Sequence, residues 1–240
     1  MSDLIAGLQH DFYQSFLEGD RWKLYLSGIG VTLMVAALAL VLGVILGVLV
    51  AIVRTLHDQQ AEGRKRSAVL GVFNGICQVY TTVIRGTPIM VQLLIMYFVI
   101  FASTRNQIGV AMLTFGINSG AYVSEIIRGG IMSVDKGQME AGRSLGLPYA
   151  VTMTNVVIPQ AIKNILPALG NELITLLKDT SIVTVIGLRD LTKAALLVQG
   201  KTYQAFMPFI GIAIVYLGRV LILSWLMGIL ERRMRRSDRR

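Results

Sequence analysis

Charged side chains divide this chain into long uncharged stretches. Leu24 to Val53 runs 30 residues without Asp, Glu, Lys or Arg, and Gly86 to Thr104, Asn106 to Ser124 and Ser144 to Ile162 run 19 each. A helix needs about 20 apolar residues to cross the hydrocarbon core of a bilayer. Three of these runs read as spans, and two more apolar segments follow them. The pattern predicts an all-α integral membrane domain over 1–240. Its five transmembrane helices lie at about 24–53, 68–103, 106–131, 161–186 and 205–230, the second interrupted near "RGTP" at 85–88.

The run from Ser144 to Ile162 is of another kind. It holds Pro148 and Pro159, with Thr152, Thr154, Asn155 and Gln160 between them. Two prolines break the backbone ladder, and lipid offers the freed groups no replacement partners. "RSLGLP" reads instead as a helix that stops at Gly146, followed by a second short helix with Pro148 in its first turn. The expectation is a helix–turn–helix loop over 132–160, outside the bilayer, with Glu140 and Arg143 one turn apart on its wet face. This loop carries Met139, Leu145, Leu147, Tyr149, Val151, Met153, Val156 and Val157. That is more apolar surface than a short hairpin covers alone, so the bundle's own ends or a partner protein must cover it.

Charge sets the expected orientation. Segments 54–67, 128–163 and 231–240 hold fourteen Lys and Arg, against six in 1–25, 103–107 and 187–205. The positive-inside rule then puts the C-terminus in the cytoplasm and, with five spans, the N-terminus outside. Residues 1–23 become an external N-terminal segment and 231–240 a basic cytoplasmic tail. Arg85, Lys178 and Arg219 are left at membrane depth or its edge.

Composition agrees: 54% of residues are hydrophobic and 15% charged, where soluble domains carry about 25% charged residues. The net charge of +9 sits largely in "RKR" at 64–66 and the six arginines of "ERRMRRSDRR", beside spans. That placement reads as topology and argues against a nucleic-acid partner. Cys77 is the one cysteine, which excludes an internal disulfide. Asp3, Asp11, Glu18 and Asp20 stand where a secretory signal needs basic residues.

Polar side chains inside spans are costly and therefore candidates for function. Asn118, Tyr122 and Glu125 fall on one face of the third span, and Arg128 extends it. Such a stripe either lines a cavity that meets substrate or forms a hydrogen-bonded seam between helices. At the broken second span, Thr87 and Gln92 can face a zwitterion, with free amides and the next helix N-terminus suiting its carboxylate. Arg85 either pairs with that carboxylate or makes an interfacial ion pair. Lys178 and Asp179 point about 100° apart on the fourth span, with Glu172 more than a turn earlier, and a cationic substrate would favour Glu125 or Asp179. Gly43 and Gly47 allow close helix contact on the first span.

The hairpin now carries a resemblance. Glu140-Ala141-Gly142, then Gly146 after three residues, then Val156, Ile158 and Pro159, resembles the "EAA" loop of ABC-importer permeases. "IRGTPIMVQ" at 84–92, "AYVSEIIRGGI" at 121–131 and "IPQAIKNILPALGNELITLLKDTSIVTVIG" at 158–187 resemble the polar amino-acid branch (histidine, glutamine, arginine and glutamate type). The likeness is close over about 78–190. One departure is Gly142, where the pattern usually has Ala; glycine weakens a helix by about 1 kcal/mol.

The resemblance implies a type I importer permease in a bacterial inner membrane, functional as a dimer with an identical or related chain. It implies that Glu140, Ala141, Gly142, Arg143, Gly146, Ile158 and Pro159 couple to a cytoplasmic ATPase dimer through coupling helices. It also implies an external amino-acid-binding protein. ATP and Mg would sit on the ATPase, and this chain would bind no cofactor and catalyse no reaction.

Three functions compete. The first is the membrane subunit of an ATP-driven amino-acid importer. The second is a stand-alone channel or secondary transporter for small polar solutes, which predicts an inverted repeat and no docking element. No repeat is found. The third, an intramembrane enzyme, meets histidines only at 10 and 57, outside the spans, and no nucleophile–base pair. "ALLVQGKT" at 195–202 ends like a phosphate-binding loop, but Ala195 stands where its first glycine belongs.

Overall fold

The computed structural model describes residues 2–60 and 67–237, and among them every regular element is helical. The chain opens with α1 (Ser2–Phe12), a π-turn over Tyr13–Leu17 and a 3-10 turn over Glu18–Asp20. Next come α2 (Trp22–Gln60), α3 (Ala68–Gly86) and α4 (Ile89–Ile95), which continues as a π-turn over Met96–Ile100. After these come α5 (Gln107–Met132), α6 (Lys136–Ser144) and α7 (Tyr149–Thr152). The chain closes with α8 (Ile158–Asp179), a 3-10 stretch over Thr180–Ile186, α9 (Leu191–Thr202) and α10 (Phe206–Ser237).

Four helices among the described residues are long and apolar enough to cross a membrane: Trp22–Asp58, Ala68–Gly86, Gln107–Met132 and Phe206–Met234. The sequence reading counts five. The difference is α8, whose Lys163, Glu172, Lys178 and Asp179 dilute its apolar face. Its inner side is buried nonetheless, at Ala161, Gly170, Ile174, Leu176 and Leu177.

α5 is the central element, with α2 as its most extensive neighbour. Small residues bring the two backbones together. A Cβ on Gly43 would lie 2.8 Å from the Ser119 side chain, and one on Gly47 would lie 2.5 Å from Val123. From the other side, Gly116 faces Leu42 and Gly120 faces Leu46 and the Tyr80 hydroxyl. Helices in lipid gain little from apolar burial, and close van der Waals approach through such residues takes its place. The glycines read from the sequence as a contact motif are thus spent inside the chain. Beside this seam, Val35, Ala39, Leu93, Phe115, Leu177 and Val183 form the main core. A second cluster joins Tyr25, Leu191, Ala195, Val198 and Ile212 at the opposite end of α2 from the α6–α7 region. There Asp190, fully buried, caps α9 by accepting from the Thr192 and Lys193 amides at 3.1 and 2.9 Å. Burial pushes its carboxyl above the usual range, against the pull of those amides.

The "RGTP" interruption has a simple cause. Pro88 has no N–H and disfavours helix at the residue before it, so Thr87 turns extended at φ −119° and ψ 145°. α4 restarts at Ile89.

Candidate functional site

Pro88 leaves the carbonyl of Ile84, four residues earlier, without its helical donor. The Gln92 side chain supplies one. Its Nε2 lies 2.7 Å from the Ile84 oxygen, 2.8 Å from the Thr87 hydroxyl and 3.1 Å from the Thr87 carbonyl oxygen. Its Oε1 accepts from Asn118 Nδ2 at 3.0 Å. Thr87 itself donates to the Val83 carbonyl at 2.9 Å. Three predicted site residues, Thr87, Gln92 and Asn118, therefore meet in one network that repairs the broken span and ties it to α5. An apolar cavity of about 240 Å³ opens beside it, lined by Ile84, Thr87, Gln92, Ile95, Thr114 and Ile117 among others.

One to two turns further along α5, Glu125 collects three arginines from three helices. Arg54 of α2 donates to its Oε1, Arg128 Nε lies 3.3 Å from its Oε2, and Arg85 Nη1 lies 3.8 Å from Oε1. The Arg85 guanidinium also sits 5.3 Å from the centre of the Tyr122 ring. One carboxylate thus faces three cations in a half-buried setting. Arg85, Tyr122 and Glu125 are brought together with Arg128, in the ion-pair arrangement. The sequence reading misses Arg54, although it is the first charged residue after the longest apolar run. Its partner lies 71 positions away, beyond any local pattern.

Asp179 stands apart. α8 runs antiparallel to α5, with Gly130 against Ile165 and the Ser119 hydroxyl donating to Glu172 at 2.8 Å. This register carries Asp179 past Ser119, on the side away from Glu125. Glu172, held by a fully buried serine, is the acid of α8 that reaches α5.

The hairpin comes next along the chain. Asp135 caps α6, accepting from the Gly137 amide at 2.7 Å. α6 ends in a Schellman turn: Gly146 at φ +75° donates to the Arg143 carbonyl at 2.9 Å and Leu147 to that of Gly142 at 3.0 Å. Glu140 and Arg143 form no ion pair with each other. Gly142 is buried, and a Cβ there would lie 2.5 Å from the Thr152 side chain. The glycine that departs from the usual alanine lets α6 close onto α7.

Pro148 precedes α7 rather than lying inside its first turn. α7 is also no separate short helix. It runs through a π-turn over Met153–Val157, where Ile158 donates to the Met153 carbonyl, directly into α8. Pro159 cannot donate to a carbonyl four residues back, and the π-turn absorbs that gap without ending the helix. Ile158 and Pro159 are exposed in this first turn of α8, and Ala141 and Arg143 are exposed on α6. At the tip Leu145 is 79% exposed, with Leu147, Tyr149 and Val151 also exposed. A cavity of about 370 Å³ separates the hairpin from the ends of α2 and α5, lined by Thr55, Asp58, Arg128, Met139, Arg143 and Tyr149 among others.

"ALLVQGKT" lies within α9, a capped helix packed on α2, and forms no phosphate-binding loop.

Comparison with known proteins shows the family. A family described as "Binding-protein-dependent transport system inner membrane component" matches residues 67–236. The chain is similar to the arginine transport system permease protein ArtQ of Bacillus subtilis (strain 168), 38% identical over 216 residues, covering 89% of this chain and 93% of that one. It is also similar to the glutamine transport system permease protein GlnP of Escherichia coli (strain K12), 37% identical over 216 residues, covering 88% and 93%. A chain in the crystal structure of an amino acid ABC transporter with histidines superposes with a TM-score of 0.79 at 43% identity, covering 88% of this chain and 94% of that one. With a family match over more than half its length and relatives aligned nearly end to end, this chain belongs to the inner membrane components of binding-protein-dependent transport systems.

Proposed function

We propose that the chain forms the translocation path of an ATP-driven importer of polar amino acids, powered by a separate cytoplasmic ATPase dimer. The observation that carries this reading is the α6–α7 hairpin. Its apolar tip residues are exposed, its turn is fixed by Gly146, and it is fused to α8. A loop that merely connects spans needs none of these features. A groove on the ATPase would cover Leu145, Leu147, Tyr149 and Val151, with Glu140, Ala141, Arg143, Ile158 and Pro159 around it and Gly142 holding the two helices together. ATP and Mg stay on the partner, and movement of that partner reaches α8 with no flexible joint between. In this reading α8 is also a span, the fourth of five along the chain, its polar face turned to the path. The N-terminus lies outside and the hairpin and C-terminus in the cytoplasm of a bacterium.

Amino-acid cargo is supported by the relatives' arginine and glutamine transport names and by the polar groups on α3, α4, α5 and α8. Gln92 and Asn118 would contact a zwitterion. Arg85, Tyr122 and Glu125 would meet its charges by exchanging existing ion pairs, and Asp179 would meet them further along the path. Two chains, identical or related, would pair around the path, and an external binding protein would deliver the solute. A stand-alone channel would have no use for the uncovered hairpin tip.

The test is Gly146→Asp in proteoliposomes holding the full importer. The variant should insert in the membrane and leave ATP hydrolysis running while amino-acid uptake falls to background. Uptake at the normal rate would show that the hairpin is not the coupling element.

A further inference from the structure

The segment before α2 lies outside the family match at 67–236, and the functional site makes no use of it. Its packing shows where it sits. The helical path from α1 through the π-turn reaches Phe16, whose ring contacts the Tyr25 ring at 5.2 Å and fills the space beside Gly211. Tyr25 lies in the first turn of α2 and Gly211 in the second turn of α10, two helices long and apolar enough to span the membrane. Phe16 therefore packs against the first two turns of both helices, at the end where each begins. Trp22 and Lys23 stand at that same end, with the Lys23 ammonium 5.5 Å from the Trp22 ring centre. Such a pair belongs at a membrane–water boundary.

The face that is buried at Phe16 does not end there. At 100° per residue, Phe16, Phe12, Leu8 and Ile5 share one arc of the helix, and the Phe12 and Phe16 rings touch at 5.0 Å. Beyond Phe12 the protein body stops, yet the arc stays apolar: Ile5 is 51% exposed, Leu8 40% and Phe12 51%. The opposite arc carries Asp3, Ala6, Gly7 and His10. On the flank, Asp11 accepts from Gln204 Nε2 at 2.6 Å, and Arg21 donates to the Gln14 carbonyl. These bonds hold the helix end against the α9–α10 connection and the start of α2. α1 itself packs mainly on the turn that follows it. A free helix of 11 residues is marginal in water, so a surface must support it.

We propose that α1 is an interfacial helix, lying on the lipid surface at the entrance of α2 with Ile5, Leu8 and Phe12 in the acyl boundary. The arc that meets protein at Phe16 meets lipid one to three turns later, at the same depth. α1 has no Lys or Arg, so its attachment comes from apolar area and not from attraction to anionic headgroups. Lipid, and not a protein partner, is the occupant because α1 leads, through Phe16, onto the start of two helices able to span the membrane, where Leu26 and Ile210 are exposed as well.

The experiment uses the full importer in lipid nanodiscs, on a Cys77→Ser background that removes this chain's one native thiol, with partner subunits freed of reactive cysteines. A fluorophore is placed at Leu8→Cys or, on the opposite arc, at His10→Cys. Quenching is compared between acyl-brominated lipid and a water-soluble quencher. Brominated lipid should quench the Leu8 label several-fold more than the His10 label, and the aqueous quencher should show the reverse order. Equal aqueous quenching of both labels would place α1 in water, and a Leu8 label shielded from both quenchers would place it under protein. Either result overturns the proposal. Should Leu8→Cys fail to assemble, Ile5→Cys on the same arc gives the same reading.

Discussion

The α2–α5 seam and the α6–α7 hairpin are both helix pairs closed by glycine, and they differ in what surrounds them. At the seam, Gly43 and Gly47 meet Ser119 and Val123, and Val35, Ala39 and Phe115 are buried close by. The seam is complete within one chain. In the hairpin, Gly142 meets a buried Thr152, yet the tip a few residues away stays exposed. The contrast separates packing that holds the chain together from surface kept for something outside it. Lipid explains the exposed apolar residues of α2, α3 and α10. It does not explain Leu145, which comes after a helix rich in polar residues and a turn fixed by hydrogen bonds.

The contrast can be broken by substitution, and the seam should answer most strongly. Gly47→Leu drives a branched side chain into Val123, where even a Cβ would lie 2.5 Å from that residue. Overpacking typically costs about 1–3 kcal/mol, occasionally more. Ser124 N at 3.0 Å leaves little room to shift. The expected outcome is loss of folded protein, read as a collapsed size-exclusion peak in mild detergent. A normal peak would mean that the seam yields as easily as the hairpin.

Gln92→Leu should come next. It keeps the apolar bulk but leaves the Ile84 carbonyl and the Asn118 amide without their partner, and an unmade buried hydrogen bond costs about 1–3 kcal/mol. The melting temperature should fall while the fold is kept. If stability is unchanged, the span break does not depend on that side chain.

The smallest effect belongs to the hairpin. Gly142→Ala gains helix propensity of about 1 kcal/mol, yet its methyl would overlap the buried Thr152 side chain at 2.5 Å, so the melting temperature should fall, by less than for the larger branched side chain at Gly47. Adding Thr152→Ala should bring the melting temperature back to or above the starting value. If Gly142→Ala alone is stabilising, the glycine is no packing device and the contrast with the seam loses half its content.

Much of this is readable along the chain because its causes are local. Pro88 breaks a span wherever it stands, and Gly146 ends a helix by its left-handed φ. Other features depend on distant returns. Arg54 reaches Glu125 across 71 positions, and Ser119 reaches Glu172 across 53. Pro159 reads as a helix breaker because a π-turn leaves no mark in composition. Gly142 looks like a weakness until Thr152 is set beside it. α8 reads as a span by length, and its four charged residues become understandable only with its inner face packed on α5 and α10. Asp179 looks equivalent to Glu125 as an anchor, and the antiparallel register of α8 separates them.

The repair at Pro88 has a kinetic consequence. In an ordinary helix, freeing a carbonyl means unwinding backbone, and every neighbouring bond resists. Here the Ile84 oxygen is held by the end of a glutamine side chain. Moving Gln92 aside breaks its own four hydrogen bonds but unwinds no backbone, and side-chain rotamer changes are local events where collective helix motion takes microseconds to milliseconds. If the chain carries solute as proposed, one with its own N–H donors would be able to take over that oxygen while Gln92 swings aside, with the helix on either side left wound. On that reading the acceptor would be lent rather than lost, and returned when the solute leaves.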